Sequence, residues 1–191
     1  LVYKSPKYGN DCDEADQMVR ELGQYMCTAI QRRHHILGTP LRPGLFSFLE
    51  FMNGECCAAL PDGHRAGQPF ANGVSPTHGR DYQGLTAMLR SAAKLDYTLS
   101  NNAATLDVKL PLNLFSGTSG IRTLSQILRT FFKDGGMQVQ LYFLSAQELL
   151  EAQKSPEDYT GLIVRVTGYS AYFTELDRNL QDEIIMRTAA F

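Results

Sequence analysis

Few residues in this chain have the type and spacing to do chemistry. The four cysteines are Cys12, Cys27, Cys56 and Cys57. They form no C-x-x-C pair and have no histidine at zinc-ligand spacing, so free thiols in a reducing compartment are expected. The adjacent Cys56 and Cys57 read as small buried filler, with a catalytic thiol as the alternative. His34 and His35 could be read as metal ligands, but neighbouring side chains on a helix point about 100 degrees apart and do not share a metal. No metal site is expected. The remaining candidate is Gly168. It ends the branched, largely apolar run Leu162–Val166 and is followed by Tyr169 and Ser170. Taken alone, a glycine there supplies a backbone angle that other residues adopt only at a steric cost.

The elements that must position these residues can be placed by periodicity. Apolar residues at Met18, Val19, Leu22, Tyr25, Met26, Ala29 and Ile30 give a helix from about 13 to 35, capped by Asp11 or Asp13. The run Leu45–Met52 reads as a strand or a short buried segment. Residues 53–82 hold Pro61, Gly63, Gly67, Pro69, Gly73, Pro76 and Gly79. About thirty residues of loop inside a domain point to a functional or special packing role. A helix over 84–94 precedes a strand over 104–110, where Thr105, Asp107 and Lys109 alternate with Leu106, Val108 and Leu110. A strongly amphipathic helix spans 119–133 and ends at Gly135-Gly136. A strand follows over 137–144. Ser145 and Glu148 then form a capping box for a helix to Lys154, which Pro156 stops. The strand before Gly168 and a helix within 175–188 complete an α/β alternation with no internal repeat.

Composition narrows the classes further. The 191 residues are 43% hydrophobic and 20% charged, with a net charge of −2, as in an ordinary soluble globular protein. No basic block points to nucleic acid or an anionic membrane, and no apolar run is long enough to span a bilayer. The first residues do not read as a signal peptide, since no apolar stretch follows the charge. Without an initiator Met, the start is expected to lie inside a longer polypeptide, with processing as the alternative.

Arg165-Val166-Thr167-Gly168-Tyr169-Ser170-Ala171, followed by Leu180-Gln181-Asp182-Glu183-Ile184-Ile185 and Arg187-Thr188, resembles the C-terminal signature of the glycyl radical enzymes. Two upstream segments, Pro61-Asp62-Gly63-His64-Arg65-Ala66-Gly67-Gln68-Pro69 and Gly73-Val74-Ser75-Pro76-Thr77-His78-Gly79-Arg80-Asp81, look like internal segments of the same family. His64 intrudes before Arg65 and departs from the family pattern, so Arg65 is given no role. In such enzymes the glycine matching Gly168 carries a radical on its alpha carbon. That radical is delocalised between amide nitrogen and carbonyl at a planar centre, which a side chain would crowd.

The resemblance implies an α/β fold: the C-terminal part of a ten-stranded barrel wrapped by helices. Residues 1–150 would belong to the barrel, and 151–191 would form the radical loop and terminal helix, within one structural unit. Gly168 would be catalytic, with Arg165, Val166, Tyr169 and Ser170 as its loop motif. The strand over 104–110 would line the reaction chamber, so Thr105 and Asp107 are candidate substrate contacts. Surface alternation explains the same pattern equally well. No bound cofactor is implied. A separate activating enzyme, using S-adenosylmethionine and an iron–sulfur cluster, would install the radical, which would then pass to a cysteine. No Gly-Cys-x-Glu type loop is found here, so that cysteine is expected in an N-terminal portion or subunit. The expected reaction is a dehydratase or lyase elimination of a C–O, C–N or C–S bond in a small substrate. The alternatives are a decarboxylase of the same family, a non-catalytic rescue subunit that replaces a damaged radical domain, or an unrelated α/β binding domain. A homo-oligomer in the cytoplasm or a bacterial microcompartment, with no nucleic-acid or membrane partner, completes the expectation.

Overall fold

The computed structural model of the chain describes residues 4–47, 50–61, 63–110, 112–166 and 169–189. Helix α1 spans Asp13–Gln31 and helix α2 Glu50–Glu55, followed by helix α3, Leu85–Ala93. Strand β1 (Thr105–Lys109) leads through α4 (Leu112–Phe115) and α5 (Gly117–Lys133) to strand β2 (Gln138–Tyr142). Helix α6 (Ala146–Lys154) and a 3₁₀ turn, Pro156–Tyr159, precede strand β3 (Ile163–Arg165) and strand β4 (Ser170–Tyr172). Helix α7, Arg178–Ala189, follows a second 3₁₀ turn, Phe173–Glu175.

β1 and β2 pair in parallel from Thr105↔Gln138 to Lys109↔Tyr142. Parallel neighbours need a long crossover, and α4 with α5 supplies it. The alternation in β1 sorts its two faces. Leu106, Val108 and Leu110 are buried against Met88, Leu89 and Ala92 of α3 and Phe131 of α5. Thr105, Asp107 and Lys109 are half-buried on the opposite face. A second core gathers Leu149 and Ala152 of α6, Val164, Val166, Phe173, and Ile184 and Ile185 of α7. Apart from Cys27, the buried apolar residues among those described fall into two clusters, 74–131 and 149–185, which are consecutive in sequence.

Several expectations are corrected. The run over 45–52, expected as a strand or a short buried segment, forms among its described residues an isolated parallel bridge, Leu45↔Ala104, and is helical from Glu50. Gly54 lets that helix approach the long loop closely. A Cβ on it would meet the Gln68 carbonyl oxygen at 1.9 Å, so α2 lies directly on the long loop. The N-cap of α1 is Cys12, without a side-chain cap bond, and the helix ends at Gln31 rather than near 35. Cys56 is exposed rather than buried filler. The apolar stripe of α1 is present, but Val19 alone of its residues packs on the first core. Met18, Leu22, Tyr25 and Met26 are exposed. No described helix is long and apolar enough to cross a membrane.

The long loop is held by hydrogen bonds rather than by secondary structure. Val74 N–H donates to the Thr105 carbonyl at 2.9 Å, and Tyr8 Oη donates to the Val74 carbonyl at 2.9 Å. Gly73 makes this approach to β1 feasible. Its φ is +53°, and a Cβ would stand 2.2 Å from the Thr105 carbonyl oxygen.

Candidate functional site

β3 forms because Ile163, Val164 and Val166 are branched, and two of the three, Val164 and Val166, are buried. Val164 and Val166 enter the second core, while Ile163 and Arg165 take the other face. β3 turns back on β4 with Ile163↔Tyr172, Val164↔Ala171 and Arg165↔Ser170 paired. Val166 N–H donates to the Tyr169 carbonyl at 2.9 Å, which extends the ladder by one pair. At the far end Phe173 N–H donates to the Leu162 carbonyl at 2.8 Å, and the Phe173 ring is fully buried. The hairpin is therefore pinned at both ends. Thr167 and Gly168, between Val166 and Tyr169, lie outside the described residues.

Arg165 connects this hairpin to the polar face of the other sheet. Its Nε donates to Gln140 Oε1 at 2.9 Å, and one terminal nitrogen donates to Ser170 Oγ at 3.1 Å. Gln140 Nε2 donates to Asp107 Oδ1 at 3.1 Å and also to Tyr142 Oη. Asn72 Nδ2 donates to Asp107 Oδ2 at 2.8 Å, and Asp107 N–H donates to Ser75 Oγ at 2.9 Å. One chain of hydrogen bonds thus runs from the long loop across β1 and β2 to the hairpin. Next to it is a small cavity lined by Asn72, Ser75, His78, Asp107, Lys109 and Arg165, among others. Burial pulls the Lys109 ammonium below its ordinary pKa, which favours a neutral amine more than at the surface.

Of the candidates, Arg165 and Ser170 touch each other, Val166 is buried and Tyr169 is exposed. Asp107 lines the cavity with both carboxylate oxygens held by protein amides. Thr105 takes part through its backbone carbonyl. His34 and His35 are exposed. Among the described residues no group of three or more His, Cys, Asp or Glu could hold a metal ion.

Sequence reasoning missed Asn72, Ser75 and Gln140, and it read the segment after Gly168 as a loop rather than a second strand. A signal for Gln140 exists. Gln138, Gln140 and Tyr142 alternate with Val139 and Leu141, and Asp107↔Gln140 is the central pair of the β1–β2 register.

A family model described as "Glycine radical" matches residues 70–174, and one described as "Pyruvate formate lyase-like" matches residues 1–51. The chain is 36% identical over 186 residues to trans-4-hydroxy-L-proline dehydratase of Clostridioides difficile, covering 97% of this chain and 23% of that protein. It is 32% identical over 186 residues to the 4-hydroxyphenylacetate decarboxylase glycyl radical subunit of Clostridium scatologenes, covering 96% and 21%. The solved glycerol dehydratase of Clostridium butyricum superposes with a TM-score of 0.91 at 39% identity, over 96% of this chain and 24% of that one. A solved structure for 1,2-propanediol dehydration in Roseburia inulinivorans gives a TM-score of 0.92 at 38% identity, over 98% of this chain and 24% of that one. The chain spans about a quarter of the length of the relatives it matches. With more than half of its residues under the glycine radical model, the chain belongs to the glycyl radical enzyme family.

Proposed function

We propose that this chain is the radical-storing C-terminal portion of a glycyl radical dehydratase or lyase. Gly168 carries the stored radical and passes it to a cysteine outside these residues. The resulting thiyl takes a hydrogen atom from a small substrate, whose radical then eliminates an adjacent C–O, C–N or C–S substituent. The cysteine returns the hydrogen atom to the product radical. Arg165, Val166, Tyr169 and Ser170 hold the loop, and Asp107, with Thr105 beside it, lies on the wall facing the substrate. The observation that carries this reading is the hairpin around residues 167–168. Hydrogen bonds pin it on both sides, and it lies within the segment that the glycine radical model covers.

Residues 1–150 act as the closing part of a ten-stranded barrel, and 151–191 as its radical part. The upstream portion supplies the cysteine loop. The exposed Met18, Leu22, Tyr25 and Met26 lie in the segment matched by the pyruvate formate lyase-like model and suit contact with that portion. That same match to residues 1–51 weighs against a rescue subunit made only of a radical domain. A separate activating enzyme, using S-adenosylmethionine and an iron–sulfur cluster, installs the radical. The free thiols suit a cytoplasmic setting. Decarboxylation is the second reading, favoured by the similarity to the 4-hydroxyphenylacetate decarboxylase subunit.

The test is electron paramagnetic resonance after anaerobic incubation of the chain and its N-terminal portion with an activating enzyme. A doublet split by one alpha hydrogen, lost in Gly168→Ala, is the expected result. Silence from a folded protein with a competent activating enzyme overturns the reading. Exposing the activated protein to air should also cut the backbone at Gly168 and release residues 169–191.

A further inference from the structure

The amide of Gln140 bridges two sheets that no ladder joins among the described residues, since β1 pairs with β2 and β3 pairs with β4. Its orientation is fixed by its neighbours. A carboxylate can only accept and a guanidinium can only donate. Nε2 must therefore face Asp107, and Oε1 must face Arg165. A flipped amide would set oxygen against oxygen on one side and N–H against N–H on the other. Both amide hydrogens are used, one on Asp107 and one on Tyr142. Asp107 is itself fixed on its far side by Asn72 and through its backbone by Ser75. Gln140 thus sits on a rigid support and holds the side chain three residues before Gly168.

We propose that Gln140 is a positioning residue for the radical hairpin. Its amide holds Arg165, and with it the Arg165↔Ser170 end of the hairpin, against the polar face of β1. The inference rests on the radical-storage reading above for its catalytic consequence but not for its structural part. A neutral amide suits this place better than an acid. Glutamate at position 140 would pair with Arg165 but put a second carboxylate within hydrogen-bond distance of Asp107.

The test compares Gln140→Leu, Gln140→Glu and the double variant Asp107→Asn/Gln140→Glu in the full chain. The double variant moves the negative charge one place along the relay and restores the donor–acceptor order: Asn72 to Asn at 107, then to Glu at 140, which accepts from Arg165. The readout is amide hydrogen exchange at Val166 and Phe173, with Leu106 and Val108 as internal controls. Both single variants should raise exchange at Val166 and Phe173 about tenfold, the loss of one hydrogen bond to a charged group, and leave the controls unchanged. The double variant should recover most of that protection. Unchanged exchange at Val166 overturns the proposal, as does an equal rise at Leu106 and Val108, which would make Gln140 a general stability residue. In the activated enzyme, Gln140→Leu should retain the radical signal per chain, while turnover per spin falls about tenfold. Equal turnover per spin also overturns it. The exchange experiment needs no radical, so its failure and a failure to generate the Gly168 signal are distinguishable.

Discussion

The Nζ of Lys94, just past α3, lies 2.7 Å from Oδ2 of Asp16, an α1 carboxylate whose side chain is wholly buried. The same ammonium reaches Asp11 and Asp13 at 2.8 Å each. It ties the start of α1 to the end of α3, and so to the first core beneath β1. Removing one partner of a buried pair leaves a desolvated charge, which costs more than the pair itself contributes. Among the described residues Asp16 Oδ1 has no hydrogen-bond partner, so this carboxylate has nothing held in reserve. Lys94→Met should therefore destabilise the chain by about 3 kcal/mol, the low end for such a loss because Lys94 is partly open to solvent. Urea denaturation of the two proteins measures it, and a change under 1 kcal/mol would count against the clamp.

The same cluster sets an acid limit. Burial alone would lower the Lys94 ammonium, but hydrogen bonds to Asp11, Asp13 and Asp16 outweigh it and hold it well above the ordinary lysine range. That contribution is complete below the unfolded lysine value and is lost only as pH rises through the folded one, in strong alkali. The hydrogen bond from Lys94 holds the Asp13 carboxyl below its ordinary value. Its contribution is present above the unfolded value, near 3.8, and disappears as pH falls through the folded one. Asp81 works in the opposite sense, because burial raises its carboxyl and protonation there favours the folded state. Denaturation midpoints recorded from pH 6 down to pH 2 should fall, and fall less steeply in Lys94→Met, where Asp13 has lost its cation and Asp81 is unchanged. Parallel pH profiles would show that Lys94 does not set the Asp13 value.

Gly73 gives a third prediction. Its backbone is left-handed, and its missing Cβ is what lets the long loop lie on β1, with Val74 bonded to Thr105. Gly73→Ala places a methyl in contact with backbone, which cannot swing aside as a side chain could. A cost of about 2–4 kcal/mol is expected from strain and displacement together. The loop should also draw Ser75 away from the Asp107 amide, visible as faster exchange of that one amide. A stability change below 0.5 kcal/mol would mean that the loop approaches β1 less closely.

The elements legible in the sequence were those whose burial follows a simple period. The helices over α3 and α5, the β1 alternation and the Ser145 cap were readable because one face of each meets one core. The Ser145 hydroxyl does accept from the Glu148 amide. The segment 45–52 had no single reading because a short apolar run carries no period. The polar relay was illegible for another reason. Asn72, Asp107, Gln140 and Arg165 are separated by 35, 33 and 25 positions, so nothing local links them. They become neighbours only once the parallel register sets Asp107 beside Gln140. The family signature marked Arg165 but gave no sign of what holds it.

Phe173 tests whether the two cores melt separately. Its ring is fully buried in the second core, its N–H closes the hairpin on Leu162, and its carbonyl accepts from the Gln181 side chain of α7 at 2.9 Å. A single residue thus joins β3, β4 and α7. Phe173→Ala removes a large buried ring, for which about 3–5 kcal/mol is typical. The residues of the second core belong to α6, the hairpin and α7, and those of the first to α3, β1, their flanking residues, α5 and Val74 of the long loop. The loss should therefore stay local. Amide exchange should rise strongly at Val164, Val166 and Ile184, and little at Leu106 and Val108. Leu106→Ala, a fully buried residue of the first core, should give the opposite pattern. If both variants speed exchange equally in both clusters, the cores unfold as one unit, and the hairpin owes its position to the whole chain rather than to Phe173 and the Gln140–Arg165 contact.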